Sequence, residues 1–471
     1  MKLVDLALDN RRSVAATALL VALPLTLGVA IGNEPRIALP LVLLVALAIW
    51  FTVRGDMAWW DMLVFVVAGA YVLDYGFSNI GVPGSVPVPL VDLIAVALLL
   101  RAGTRPDFRW PGSLPFVLAA VFIGLTAVRL AVDQPTHGIL AIRDATLGLE
   151  LAFLFVGYWA ISEFGLPRFV RVLSVVFFVA LAYYALFPFA ETIYDASPVV
   201  GLQKPVPLFG TFVGGAVVAA AFFFFAIVRP FGMRSYALAA AALPLLALLQ
   251  TRGLYIAVPV AIGIVWVLGR AQTGARVRRG LATTVGVGAL ALVVFFPLAP
   301  DEGRLGEVSP SFIVSHLATL SGREGPSAGT VEVRKEWFSK VTQRVDESPT
   351  GWALGIGLGP DLAFGFEDEG GAAVRKPHND YLEIYARYGL LGFGLFVGML
   401  GAAFVRIVQG ARRLDGLAAR FLWFAVAHTV VLCLLAATQP FLAFPYGTVP
   451  LFVVLGAALA VAESRKAEAL S

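Results

Sequence analysis

A histidine and several arginines stand in polar stretches where they could act on a phosphate group. His378 lies in the polar turn Pro377–Asp380, just ahead of an apolar run, and Arg252 and Arg334 lie close to apolar or aromatic residues. An arginine guanidinium offers a planar fork of N–H donors that matches phosphate oxygens. A histidine changes charge near neutral pH, so it suits a general base or a hydrogen-bond donor to a departing phosphate. These residue types together indicate chemistry on a phosphorylated lipid or sugar carrier.

The arginines also have structural interpretations. Arg252 lies between two apolar runs in Gln250–Gly253, where it could be a snorkelling arginine in a tight turn. Arg323 and Arg334 could belong to a solvated basic face. Ionisable residues at membrane depth are costly, however, and they are functional candidates by default. We therefore keep all three arginines as candidates for binding an anion.

Several other polar residues fit more than one role. Arg143 beside Asp144 suits either an ion pair or a pocket, and Lys204 leaves the same choice open. His428 lies in the middle of an apolar run, where helix packing or an interhelical hydrogen bond is the expected role. His316 carries no supporting pattern.

Other kinds of site are excluded. The only cysteine, Cys433, lies in an apolar run, and the four histidines are far apart. Neither a disulfide within the chain nor a Cys/His zinc cluster is therefore possible. The glycines of Gly355–Gly359 do not follow a strand that leads into a helix, so they are not a nucleotide-binding fingerprint. We expect no metal and no cofactor.

The elements that must position these residues are membrane helices. Hydrophobic residues make up 59% of the chain and charged residues 14%, against about half and about a quarter in soluble domains. Apolar runs of roughly twenty residues recur, and only helices satisfy the backbone of such runs in lipid. The sequence therefore predicts an all-α fold, a polytopic transmembrane helical bundle of about 12–14 spans. The apolar runs lie at residues 13–31, 37–53, 58–75, 86–101, 113–132, 146–162, 169–189, 207–228, 235–250, 253–269, 280–298, 388–408, 417–437 and 447–463.

The distribution of arginines predicts the orientation. Cytoplasmic loops of membrane proteins are enriched in lysine and arginine, while long translocated segments escape this rule. With the N-terminus in the cytoplasm, most arginines of the short loops fall inside, and both termini are cytoplasmic. The pI near 9.2 then reflects these loops and not nucleic-acid binding. The cytoplasmic cations are Arg54, Arg101, Arg105, Arg109, Arg168, Arg171, Arg229, Arg234, Arg270, Arg276, Arg278, Arg279, Arg406, Arg412, Arg413, Arg420, Arg465 and Lys466.

This orientation divides the chain into three regions. Residues 1–298 form the N-terminal transmembrane helices, with about 11 spans, and residues 388–471 form the C-terminal helices, with about three. Residues 299–387 form one large extracytoplasmic catalytic loop. A loop of this length rarely lacks structure of its own, and Val331–Val345 carries apolar residues at near-helical spacing. We expect short helices that lie over the membrane face and cap a cavity between the spans.

Five stretches resemble motifs of one family. Lys376–Gly392 resembles the signature of the O-antigen ligase and O-antigen polymerase superfamily, in which a His-Asn pair of a large periplasmic loop precedes a helix. Thr251–Gly253, Arg334–Trp337 and Gly355–Gly359 are similar to the family's Ser-Arg-Gly, Arg with a nearby Trp, and Gly-x-Gly, in the family's order. Leu208–Phe212 resembles its Leu-x-Gly-Thr-Phe segment. The likeness covers residues from about 200 to about 440.

The resemblance implies a reaction. Members of this family move a glycan from undecaprenyl diphosphate onto an acceptor hydroxyl, with inversion and without a metal. On that basis Arg252 and Arg334 would bind the diphosphate and stabilise charge as the bond breaks. His378 would deprotonate the acceptor hydroxyl or donate a hydrogen bond to the phosphate. The residues expected to bind substrate are Asn379, Arg323, Lys204 and Arg143.

Two other functions are compatible with the sequence. A polysaccharide polymerase of the same superfamily differs only in its acceptor, and no residue here identifies the acceptor. A transporter or flippase for a lipid-linked sugar would also span the membrane many times, but the two halves of the chain show no clear repeat. The expected partners are an undecaprenyl-diphosphate-linked glycan, a glycan or lipid acceptor and membrane lipids, with no nucleic acid. The expected location is the inner (plasma) membrane of the cell envelope.

Overall fold

The structure is a computed structural model, and its description is limited to part of the chain. It describes residues 50, 53–55, 57–78, 80–82, 88–103, 110–197, 209, 214–269, 272–319, 329–363 and 375–464. Two predicted binding residues, Lys204 and Arg323, lie outside these ranges, as do the predicted span 13–31 and nearly all of 37–53. The chain divides into two compact units, Met1–Val66 and Val67–Ser471.

The described elements are almost entirely helical. The first unit holds the N-terminal part of helix α1, Met57–Val72, and an ion pair of 2.8 Å between Arg54 and Asp61. In the second unit, the strands β1 and β2 form a two-stranded antiparallel hairpin of Gly81–Val82 and Val88–Pro89. The remaining helices are α2 (Asp74–Ser78), α3 (Leu90–Gly103), α4 (Leu114–His137), α5 (Ile139–Asp144), α6 (Thr146–Glu150), α7 (Ala152–Phe164), α8 (Leu166–Tyr184), α9 (Ala190–Asp195), α10 (Gly214–Phe223), α11 (Arg234–Leu249), α12 (Arg252–Leu268), α13 (Gln272–Phe295), α14 (Pro310–Ala318), α15 (Gly329–Asp346), α16 (Gly351–Leu354), α17 (Asp380–Arg413), α18 (Gly416–Ala436) and α19 (Pro445–Glu463).

The helix lengths confirm the predicted all-α membrane bundle. Within the described ranges, seven helical segments are long and apolar enough to cross a bilayer. They are α4, α6 with α7, α8, α13 with the turn that follows it, α17, α18 and α19. Shorter apolar helices lie at Met57–Val72, Gly214–Val228, Arg234–Leu249 and Arg252–Leu268. The chain is therefore a multi-pass membrane protein.

The centre of the second unit is formed by α19. The apolar window of this helix is fully buried inside the protein, as expected for a helix that is apolar on all sides. It packs mainly against α7, while α17 packs against both α4 and α18. Helix α17, which follows His378 in the chain, is thus packed on two sides.

The long polar segment contains α14, α15 and α16, so the prediction of short helices in residues 299–387 is confirmed. Helix α17 starts earlier than the predicted span, at Asp380, and is kinked at Gly389, where φ is 65° and ψ is −166°. Its first turns pack against α15 through a small apolar core. That core contains Val341, Val345, Leu362 and Ala386.

Candidate functional site

His378 occupies a strained turn directly before α17. Its φ is +48°, a left-handed conformation that is uncommon for residues other than glycine and that concentrates at functional sites. The next residue, Asn379, caps the helix, because its side-chain oxygen accepts a hydrogen bond of 3.0 Å from the Leu382 N–H. The indole ring of Trp337 lies against the imidazole, with 4.8 Å between ring centroids. The cap and the aromatic contact fix the position of the histidine.

The environment of His378 keeps its imidazole neutral. Burial, and then the positive charge of Arg334, lower the pKa of His378 to about 4, while Glu383 acts in the opposite direction. At neutral pH the ring therefore has one nitrogen that can accept a proton. This is the state that a general base requires.

Three segments bring the predicted catalytic residues together. Arg334 lies on α15, and both burial and the positive charge of Arg252 lower its pKa. Arg252 is the first residue of α12 and donates a hydrogen bond of 3.0 Å from Nη1 to Thr319 Oγ1. Arg252 therefore interacts electrostatically with Arg334, and Arg334 with His378. In the described part of the chain, no carboxylate lies within ion-pair distance of Arg334.

A further arginine, Arg304, was missed by sequence reasoning. Its half-buried guanidinium donates from Nε to the Leu249 carbonyl at 2.9 Å and from Nη2 to the Gln250 carbonyl at 3.5 Å. These carbonyls end α11, so Arg304 lies beside the start of α12 and interacts electrostatically with Arg252. In the sequence, Arg304 lies in a stretch of turn residues, and only the fold brings it to Arg252.

The glycine-rich stretch attaches the polar segment to α4 and α5. The Leu358 N–H donates to Asp133 Oδ2 at 2.7 Å, and the Gly359 N–H donates to Asp144 Oδ2 at 2.9 Å. Gly357 has a φ of +91°, and a Cβ there would lie 2.6 Å from an Asp133 carboxylate oxygen. The glycines therefore allow close docking on two carboxylates.

A buried ionic cluster lies around the first turns of α17. Arg387 contacts Asp144 at 2.8 Å and Glu383 at 2.9 Å, and Lys376 contacts Glu383 at 3.5 Å. Arg143, predicted to bind substrate, lines a small cavity together with Lys376 and Arg387. Asp144, which the sequence offered as its ion-pair partner, is paired with Arg387. Arg143 thus lines a cavity, which is one of the two roles that the sequence left open for it.

His428 takes the structural role expected for it. Its Nε2 lies 2.9 Å from the Tyr71 hydroxyl, which belongs to a different helix, and the pair is buried. This contact is an interhelical hydrogen bond of the kind that polar residues make within membrane bundles.

The arrangement suits a reaction that separates charge at a diphosphate. Arginines from α12 and α15 can stabilise negative charge as it develops. The neutral imidazole beside Arg334 can take a proton. Neither charge stabilisation by arginines nor proton transfer to the imidazole requires a nucleotide.

Comparison with known proteins identifies the same family as the motifs. Residues 237–397 match the family described as O-Antigen ligase, and this stretch includes Arg252, Arg334 and His378. The predicted resemblance to the O-antigen ligase and polymerase superfamily is therefore confirmed. The match supports glycosyltransferase activity of the ligase or polymerase type. No curated protein matches the chain.

Proposed function

We propose that this protein transfers a glycan from an undecaprenyl-diphosphate carrier to an acceptor hydroxyl, at a site formed by Arg252, Arg334 and His378. The main support is the electrostatic interaction of Arg252 with Arg334 and of Arg334 with His378, because these residues come from three separate segments. Like charges repel, so a fold that gathers half-buried arginines favours an anionic ligand.

The proposed step is a single displacement. The acceptor oxygen attacks the anomeric carbon, the bond from that carbon to the phosphate oxygen breaks, and the lipid diphosphate leaves with the electron pair. His378 takes the hydroxyl proton. Arg252 and Arg334 bind the diphosphate in the ground state and hold it more strongly as its charge increases. Attack from the face opposite the leaving group inverts the anomeric centre.

The proposed location is the plasma membrane, with both termini in the cytoplasm and residues 299–387 on the opposite side. The arginines of the short loops support this orientation. A lipid-linked donor would then reach the start of α12 from within the bilayer. Ligation and polymerisation use this same chemistry and differ in the acceptor.

The experiment is transfer by the purified chain in detergent, with a lipid diphosphate glycan as donor. We expect product from the wild type and none from His378→Ala or Arg252→Ala, with both variants folded. Lys340→Ala is the control for a lost cation, because Lys340 is exposed on α15 and pairs with Glu336 at 3.2 Å. Normal turnover by either site variant would refute the proposal.

A further inference from the structure

Helix α14 places a second histidine beside Arg252. The helix is capped by Ser309, whose hydroxyl accepts a hydrogen bond of 3.1 Å from the Phe312 N–H, and it contacts α12. His316 lies in its last turn. The Thr319 hydroxyl donates to the His316 carbonyl at 2.8 Å and accepts from Arg252 at 3.0 Å. The end of α14 is therefore fixed to the guanidinium of Arg252.

The side chain of His316 is buried without hydrogen bonds. Its exposed fraction is 0%, and neither ring nitrogen has a hydrogen-bond partner among the residues that the structure describes. Burial, Arg252 and Arg304 lower its pKa to about 4, so the ring is neutral at pH 7. Buried polar groups in native proteins almost always have partners. A buried neutral imidazole with an unused N–H, under the positive charge of Arg252 and Arg304, can therefore donate a hydrogen bond to an anion.

Tyr255 adds a second buried donor at the same place. It lies three residues after Arg252 on α12, so both side chains lie on one face of the helix. Its hydroxyl is buried and makes no hydrogen bond within the described ranges, and it interacts electrostatically with Arg304. Two independent orphan donors thus accompany the two arginines.

Arg252 is shared by two groups of residues. One group contains Arg334 and His378, and the other contains Arg304, His316 and Tyr255. A diphosphate has two phosphates and needs donors for both. Arg252, which belongs to both groups, suits the oxygens that lie between the two phosphates.

We propose that Arg304, His316 and Tyr255, together with Arg252, form a subsite for the phosphate attached to the lipid. This inference rests on the proposed function. His378 must lie near the acceptor and the anomeric carbon, so the group with Arg334 holds the phosphate attached to the sugar. The remaining group then faces the lipid side, in agreement with the position of Tyr255 in the first turn of an apolar helix.

The test compares two ligands of the purified protein in detergent, farnesyl diphosphate and farnesyl monophosphate. Because the phosphate of the monophosphate is the one attached to the lipid, it occupies the proposed subsite. His316→Phe keeps a ring against Phe312 but removes both nitrogens, and Tyr255→Phe removes only a hydroxyl. Each should weaken the binding of both ligands by roughly tenfold or more. Arg334→Ala should weaken the binding of the diphosphate by a similar factor and change the affinity for the monophosphate by less than about threefold.

Ser315→Ala is the matched control, since Ser315 lies on α14 and bonds to the Phe312 carbonyl of the same helix. It should change neither affinity.

If His316→Phe and Tyr255→Phe leave both affinities unchanged while Arg334→Ala weakens the binding of the diphosphate, the subsite is wrong and the proposed function stands. If His316→Phe and Tyr255→Phe weaken the binding of the diphosphate but not of the monophosphate, the assignment of the two phosphates to their subsites is contradicted. If the wild type binds neither ligand, the proposed function itself fails. Circular dichroism identifies an unfolded variant, and the two phenylalanine variants test the subsite independently.

Discussion

Because His378 stays neutral at moderately acidic pH, the enzyme should keep its activity at a pH where a general base with the ordinary histidine pKa would already be protonated. Protonation removes the general base, so kcat/KM falls as the pH drops through the pKa of His378 in the free enzyme. Burial and Arg334 place that pKa at about 4, below the ordinary value of about 6.5. The acid limb should therefore lie well below pH 6.

The magnitude follows from the two pKa values. At about pH 5.5, a histidine with a pKa of about 4 is ~97% neutral, whereas one with a pKa of about 6.5 is ~9% neutral. The kcat/KM at about pH 5.5, divided by its value at about pH 8, should therefore be about tenfold higher for a pKa of about 4 than for a pKa of about 6.5. Titration of the donor substrate does not contribute to this pH dependence, because a diphosphate esterified at both ends keeps its charge over this range.

Replacing Arg334 tests the cause of the shift. In Arg334→Gln one positive charge beside the imidazole is lost, so the pKa of His378 rises and the acid limb moves toward neutral pH. The move is partial, because burial is the larger cause. Lys340→Gln, on the same helix, should leave the limb in place. The assay is initial-rate transfer from about pH 4.5 to about pH 8, normalised for each variant. A wild-type limb centred at pH 6.5, or an unmoved limb in Arg334→Gln, would refute the reasoning.

Two further predictions concern the docking of the polar segment. Gly357→Ala should lower the free energy of unfolding by roughly 1–3 kcal/mol, because φ is +91° and the new Cβ meets the Asp133 carboxylate. Gly394→Ala is its control, with nothing within 4 Å of the added Cβ, and thermal unfolding in detergent measures both. Asp144→Asn should cost roughly 3–5 kcal/mol, since it leaves Glu383 as the one charged carboxylate paired with both Arg387 and Lys376 in this buried cluster. A melting temperature equal to that of the wild type would show that this ion pair does not hold the segment.

Much of the fold was predictable because the hydrophobic signal is strong. Long apolar runs predict membrane helices from length and composition alone, and nearly every described span lies within a few residues of its predicted position. Helix α15 was also predictable, since the apolar residues of Val331–Val345 repeat at helical spacing. The predicted span begins at residue 388, whereas α17 starts at Asp380, because the first turns of the helix are more polar than the span that follows.

The candidate site was predictable only where residues stand in motifs. His378 and Arg252 stand out because each is a charged or titratable residue in an unusual setting. Arg304 and His316 have no such pattern, and their proximity to Arg252 depends on how α11, α12 and α14 meet. The contact of residues 355–359 with Asp133 and Asp144 is a tertiary feature, so the sequence does not display it.

The most direct measurement is a structure of the protein with an unreactive lipid diphosphate glycan bound. The diphosphate oxygens should lie about 3 Å from the guanidinium nitrogens of Arg252 and Arg334, with the imidazole of His378 on the sugar side. A diphosphate bound away from these arginines, or one whose sugar points away from His378, would contradict the proposed site.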